Sequence, residues 1–189
     1  MLKSKRIFLA IEIQPQTNFV RSLEQLKNDL RNESIKWVSL NNMHLTLKFF
    51  GETHSEKIKS IILNLEDVLI SKKVFEFNIE KIGVFGSSYQ PKLVWAGISN
   101  NKKLKEFENE VKMNLEKIGY VNDRQNFVPH LTLGRIKQLK DRILFQEIIQ
   151  KHRNLTFQKV ELNKIYLYES VLERTGPIYN VIHEFPLKA

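Results

Sequence analysis

The tetrapeptide His-Leu-Thr-Leu occurs twice in this chain of 189 residues, at positions 44–47 and 130–133. Side chains alternate between the two faces of an extended strand, so the imidazole and the hydroxyl of each copy share one face. A fold that brings the copies together places two histidines across a cleft, with two threonines beside them. This repeat therefore predicts a site for acid–base chemistry on a phosphate.

Strands and helices alternate around both copies in a similar order. Apolar spacing predicts helices that begin after Pro15 and over 55–70, 102–118 and 141–151. Extended segments are predicted at 6–13, 35–38, 43–50, 74–84, 93–98, 127–135, 155–168 and 178–187. Gly51 is expected to end the first motif strand, and Gly134 with Arg135 the second. The pattern predicts a duplicated α+β fold, in which each half forms a small, mainly antiparallel sheet flanked by helices.

Composition narrows the class of protein and of partner. The chain carries 30 Lys and Arg against 21 Asp and Glu, a formal charge of +9, and no cysteine. The charge favours a polyanionic partner such as nucleic acid, although a merely basic surface would give the same value. Without cysteine there is no disulfide, no thiolate nucleophile and no cysteine-based zinc site. We expect one cytoplasmic domain over residues 1–189, with no signal peptide and no membrane-spanning segment.

The two imidazoles and two hydroxyls can divide the work of in-line displacement at phosphorus. If His44 and His130 hold different protonation states, one takes a proton from water while the other gives a proton to the leaving oxygen. Thr46 and Thr132 are placed to donate hydrogen bonds to the nonbridging phosphate oxygens. These four residues are the predicted catalytic and phosphate-binding set.

Two basic residues near the motifs are candidates for substrate contact. Lys48 follows the first motif, and alternation gives it the same facing as His44 and Thr46. Arg135 lies five residues after His130, so strict alternation puts it on the opposite face. A bend at Gly134 would have to re-aim it.

The residues around both motifs resemble those of a known superfamily. Trp-Val at 37–38 precedes His-Leu-Thr-Leu-Lys-Phe-Phe-Gly-Glu at 44–52, and Phe-Val-Pro-His-Leu-Thr-Leu-Gly-Arg follows at 127–135. Leu-Tyr-Glu-Ser at 167–170 and Gly-Pro-Ile-Tyr at 176–179 complete the pattern. The chain resembles the 2H phosphoesterases, and within them the RNA 2',3'-cyclic phosphodiesterases, also called 2'-5' RNA ligases. The resemblance covers nearly the whole chain.

The resemblance implies a bilobal, pseudo-twofold fold whose central cleft holds both motifs. It implies that His44 is the proton donor and His130 the proton acceptor, with no metal and no cofactor. The expected partner is RNA with a 2',3'-cyclic phosphate end, opened to a 2'-phosphate by a monomeric enzyme. Tyr168 is a further candidate for substrate contact. Lys36 departs from the family pattern, which more often has Arg before the Trp.

The same residues are compatible with other functions. The motifs could grip a terminal RNA phosphate without turning it over, which would make the protein a binding or tRNA-processing accessory module. Zinc binding by the two histidines lacks a third ligand at motif spacing. Ligation of a 2',5' linkage is the reverse of its cleavage, so one site could perform both reactions.

Overall fold

The computed structural model describes residues 4–120, 128–174 and 176–189. The helices are α1 (Thr17–Asp29), α2 (Ser55–Leu69), α3 (Lys102–Lys117) and α4 (Arg142–Lys151). The strands are β1 (Ser4–Glu12), β2 (Ser34–Trp37), β3 (His44–His54), β4 (Phe75–Gly86), β5 (Pro91–Ser99), β6 (His130–Gln138), β7 (Thr156–Leu162), β8 (Lys164–Leu172) and β9 (Pro177–Pro186). None of the described helices is both long and apolar enough to cross a membrane.

Two antiparallel sheets carry the two motifs. The first sheet has the strand order β3-β1-β8-β9, and the second has the order β2-β6-β5-β4-β7. His44 begins β3, which pairs with β1, and His130 begins β6, which pairs with β5. The strands β3 and β6 also contact each other, so the two motif strands meet where the sheets adjoin. The predicted α+β fold with two sheets and flanking helices is confirmed.

The expectation that each half of the chain forms its own sheet is wrong. β2 leaves the first half to pair with β6, while β8 and β9 return from the second half to the first sheet. Each sheet therefore contains strands from both ends of the sequence. This exchange ties the lobes together through backbone hydrogen bonds.

Three predicted strand boundaries are wrong, each for a structural reason. β3 continues past Gly51, whose φ of 73° lets the chain form a bulge at Phe50 and stay paired with β1. β6 continues past Arg135 because β2 pairs with it as far as Gln138. The single strand predicted over 155–168 is two strands in different sheets, which meet at Asn163. The connector predicted at 121–125 lies outside the described residues.

Helix boundaries follow the sequence signals closely. Phe19, Leu23 and Leu26 are fully buried on one face of α1, as their spacing predicts. Asp141 caps α4 by accepting hydrogen bonds at 3.0 Å from the backbone amides of the first turn. Gly119 follows α3 with a φ of 89°, in agreement with its predicted role as a helix stop.

Candidate active site

Both motif histidines are held by the same local hydrogen bond. His44 Nδ1 lies 2.7 Å from the carbonyl oxygen of Asn42, and His130 Nδ1 lies 2.8 Å from that of Val128. A carbonyl oxygen can only accept, so each Nδ1 carries the proton and donates it. In the neutral ring the other nitrogen, Nε2, is then a free acceptor. The repeated sequence thus produces two imidazoles in the same tautomer and orientation relative to their strands.

The rings around the two histidines differ. Phe8 and Tyr179 pack on His44 with ring centroids 5.0 and 5.1 Å away. Burial lowers the pKa of His44 by disfavouring its charged form; the hydrogen bond to Asn42 opposes this, and the charge of Arg135 lowers the pKa further. The His130 ring meets the Phe85 ring edge-on at 4.8 Å.

A bulge follows the threonine in both motifs and decides which later side chains reach the cleft. In β3 the pairing with β1 skips Leu47, and in β6 the pairing with β5 skips Leu133. An extra residue in one strand reverses the facing of every residue after it. The strict alternation of faces that predicted the facing of Lys48 and Arg135 therefore does not hold after Leu47 in β3 or after Leu133 in β6.

Lys48 does not share the facing of His44 and Thr46. It is 7% exposed, whereas Thr46 is exposed, and the positive charge of Lys48 acts on Glu108 of α3. It does not line the cleft beside Thr46. The predicted facing of Lys48 is therefore wrong, because the bulge turns the side chain away from the cleft.

Arg135 does reach the cleft. A cavity of about 310 Å³ is lined by His44, Thr46, Thr132 and Arg135 together with residues of the 36–42 and 176–179 segments. The re-aiming predicted for Arg135 is present, although the extra residue is Leu133 rather than Gly134. His130 is not one of the residues that line this cavity, but it precedes Thr132 by two residues in regular pairing and so shares the face of Thr132.

The charge in this cleft is positive. Lys36 and Arg135 are register partners in the β2–β6 pair, and both line the cavity. Like charges directly opposite each other destabilise a sheet unless an anion lies between them. No Asp or Glu lines the cavity in the part of the chain that the structure describes. The cleft is therefore suited to a phosphate group.

Tyr168 lies beside the cleft rather than in it. Its ring stacks on Phe8 at 5.3 Å and lines a neighbouring cavity that shares His44 with the cleft. Burial, with the nearby charge of Glu12, raises the pKa of Tyr168, so its hydroxyl stays protonated. Tyr168 therefore lines the neighbouring cavity and not the cleft itself.

The sequence alone does not identify Tyr179 and Asn42 as residues of the cleft. Tyr179 packs on His44, and burial raises its pKa while Arg135 and Arg6 oppose the rise. Its place after the Gly-Pro turn was the available signal. Asn42 both accepts from His44 and donates to the carbonyl of Pro177 at 3.0 Å. These are contacts between distant segments, and nothing in the local sequence around Asn42 predicts them.

Fold and cleft together have the character of a duplicated phosphoesterase. The family model for LigT-like phosphoesterases matches the chain twice in succession, over residues 13–95 and 97–179. The chain belongs to the LigT-like phosphoesterase family, as its motifs predicted. The two matches also agree with the predicted internal duplication.

Several relatives have a named activity. A protein of Methanocaldococcus jannaschii is 35% identical over 95% of this chain and 99% of its own length, and one of Aquifex aeolicus is 39% identical over 80% and 81%. Both are RNA 2',3'-cyclic phosphodiesterases. Among solved structures, TT0787 of Thermus thermophilus matches with a TM-score of 0.79 at 20% identity, covering 96% of this chain and 97% of that one. Escherichia coli LigT complexed with 3'-AMP matches with a TM-score of 0.73 at 21% identity, covering 99% and 100%.

Proposed function

We propose that this protein hydrolyses RNA 2',3'-cyclic phosphate ends to 2'-phosphate ends with His44 and His130 as acid and base. The observation that carries the proposal is the pair of motif histidines, each with Nδ1 bound to a carbonyl oxygen, which makes Nε2 the acceptor nitrogen of the neutral ring. The named activity of relatives with up to 39% identity supports the choice of substrate. The positive cleft supports a phosphate ligand.

In the proposed reaction, water attacks phosphorus opposite the ribose O3'. His130 Nε2 takes a proton from this water as the new P–O bond forms. The P–O3' bond breaks, and His44 Nε2 gives its proton to O3', so a 2'-phosphate and a free 3'-hydroxyl result. The charge that builds up on the nonbridging oxygens is stabilised by Thr46, Thr132 and Arg135.

The lowered pKa of His44 fits the role of the acid in a particular way. A depressed pKa makes the imidazolium a stronger acid, but it also reduces the protonated fraction at neutral pH. A bound phosphate anion next to the ring would offset the charge of Arg135 and favour the protonated form. The substrate itself therefore helps to create the acid.

Substitution of the histidines tests the proposal. His44→Ala and His130→Ala should each lower kcat on a cyclic-ended oligonucleotide by roughly 10²- to 10⁴-fold, the loss typical of a general acid or base. His54→Ala is the matched control, because His54 is exposed and lies outside the cleft. Product analysis should show a 2'-phosphate.

Near-wild-type turnover in both His44→Ala and His130→Ala would contradict the mechanism. Binding of the oligonucleotide without any product would instead support an RNA-end-binding module. If a 5'-hydroxyl takes the place of water and attacks the cyclic phosphate, the same departure of O3' leaves the two strands joined through a 2',5' linkage. This ligation is the reverse of the cleavage of that linkage, so we propose it as a second activity of the same cleft. Incubation of a cyclic-ended strand with a 5'-hydroxyl strand measures this second activity directly.

A further inference from the structure

A second cavity adjoins the phosphate cleft. It has a volume of about 220 Å³ and shares Asn42, His44 and Tyr179 with the cleft. Its other lining residues are Glu12, Asn41, Met43, Tyr166, Tyr168 and Val181. Pockets for drug-sized ligands usually measure about 300–1,000 Å³, so this cavity suits a smaller group such as one ring system.

The carboxylate of Glu12 is the charged group of this cavity. Glu12 is the register partner of His44 in the β1–β3 pair, so the two side chains share one face of the sheet. Within residues 4–120, 128–174 and 176–189, its hydrogen bonding is limited to a long contact of 3.4 Å from Gln14 Nε2. An ionised carboxylate offers about four acceptor positions, so most of its capacity is open to a ligand.

Aromatic rings form the wall beside this carboxylate. Tyr166 and Tyr168 are 9% and 8% exposed, and their ring centroids lie 5.5 Å apart. The Tyr168 ring stacks on Phe8, which in turn contacts His44. Flat aromatic surface next to an open acceptor is the combination that recognises a heterocycle carrying N–H groups.

We propose that this cavity binds the terminal nucleobase and that Glu12 selects guanine over uracil. The proposal rests on the proposed function, because His44 beside O3' brings the ribose and its base next to the cavity. Guanine presents N1–H and the exocyclic amino group side by side, which matches the two oxygens of a carboxylate. Uracil presents one N–H between two carbonyl oxygens, and these repel a carboxylate.

Hydrolysis of mononucleotide substrates tests the selection. The wild-type protein should show kcat/KM for guanosine 2',3'-cyclic phosphate roughly 10-fold or more above that for the uridine compound, as for one good bidentate contact to a base. Glu12→Gln should reduce this ratio several-fold, because the amide keeps the shape but turns one acceptor into a donor. An unchanged ratio in Glu12→Gln, or no guanine preference in the wild type, would overturn the inference.

Glu184→Gln is the matched control. Glu184 also acts electrostatically on Tyr166 and Tyr168, but its carboxylate pairs with Lys164 at 2.9 Å and does not line the cavity. This variant should keep the guanine preference. A loss equal to that of Glu12→Gln would assign the preference to general charge and would overturn the role of Glu12.

A binding measurement separates this inference from the proposed function. Calorimetry with guanosine 2'-monophosphate and uridine 2'-monophosphate requires no turnover. In one outcome, neither the cyclic nucleotides nor cyclic-ended RNA are hydrolysed, but guanosine 2'-monophosphate binds more tightly than uridine 2'-monophosphate and Glu12→Gln removes this difference in affinity. The hydrolysis proposal then fails and the base site stands. If hydrolysis proceeds while both nucleotides bind equally, the base site fails and the hydrolysis proposal stands.

Discussion

Replacement of Gly134 by Ala should disturb both the packing of β6 and the aim of Arg135. Gly134 has no positive φ, so alanine meets no backbone strain there. A Cβ at this position would lie 2.7 Å from Ile35 Cγ2 and 2.9 Å from the Trp37 ring. Both distances are shorter than carbon atoms tolerate, so Ile35, Trp37 or β6 must move.

The size of the effect follows from this crowding. Overpacking of a well-packed region costs about 1–3 kcal/mol. For a chain of this length each kcal/mol lowers the midpoint of thermal unfolding by roughly 2–4 °C, so a decrease of about 2–12 °C is expected. The activity should fall as well, because Arg135 directly follows Gly134 and moves with it. A 1 Å misplacement can cost roughly 100-fold in rate, and a smaller loss is expected here.

A double substitution checks the cause. Ile35→Ala removes the closest carbon, so Gly134→Ala should cost less free energy of unfolding in that background than in the wild type. Gly119→Ala serves as the control, because its φ is 89° with no atom within 4 Å of an added Cβ, and its cost should not depend on Ile35. An unfolding midpoint of Gly134→Ala equal to that of the wild type, or strict additivity with Ile35→Ala, would refute the packing argument.

Two further expectations concern pH and helix capping. The rate should fall as the pH rises through the pKa of His44, because the protonated acid is lost. Arg135→Gln removes a charge that lowers the pKa of His44, so the alkaline limb and the His44 titration followed by NMR should both move to higher pH, and movement to lower pH would contradict this. Asp141→Ala removes the cap of α4 and should cost about 0.5–2 kcal/mol in thermal unfolding, without a change in kcat/KM; an unchanged unfolding midpoint would show that the cap adds nothing.

The sequence predicts most of what is local in this protein. Apolar spacing locates the four helices, and the repeated tetrapeptide identifies the two strands that carry histidine. Pairing between distant segments is not predicted by the sequence. The exchange of β2 into the second sheet leaves no periodic signal, and neither does the contact of Asn42 with Pro177. Such contacts depend on the assembled lobes, so only the structure reveals them.

Buried lysine and exposed phenylalanine show a further limit of pattern reasoning. Strict alternation after Leu45 and Leu47 would place Phe49 in the core, yet it is 47% exposed with the Arg6 guanidinium 4.9 Å from its ring centroid. Lys48 is expected in the cleft, yet it is 7% exposed. Both errors come from the one residue, Leu47, that the pairing skips. A period-2 argument loses its validity at a bulge, and a bulge has no reliable sequence signature.

The two bulges also explain how a symmetric repeat yields an asymmetric site. Leu47 and Leu133 are skipped at the same point of each motif, so the residue two positions later regains the face of the histidine in both strands. That residue is Phe49 in β3 and Arg135 in β6. The two motifs therefore share the same backbone geometry but differ in this side chain, which is an aromatic ring in β3 and a guanidinium in β6. Because Arg135 lines the cleft together with His44 and lowers the pKa of His44, the second motif strand affects the protonation of the proposed acid on the first.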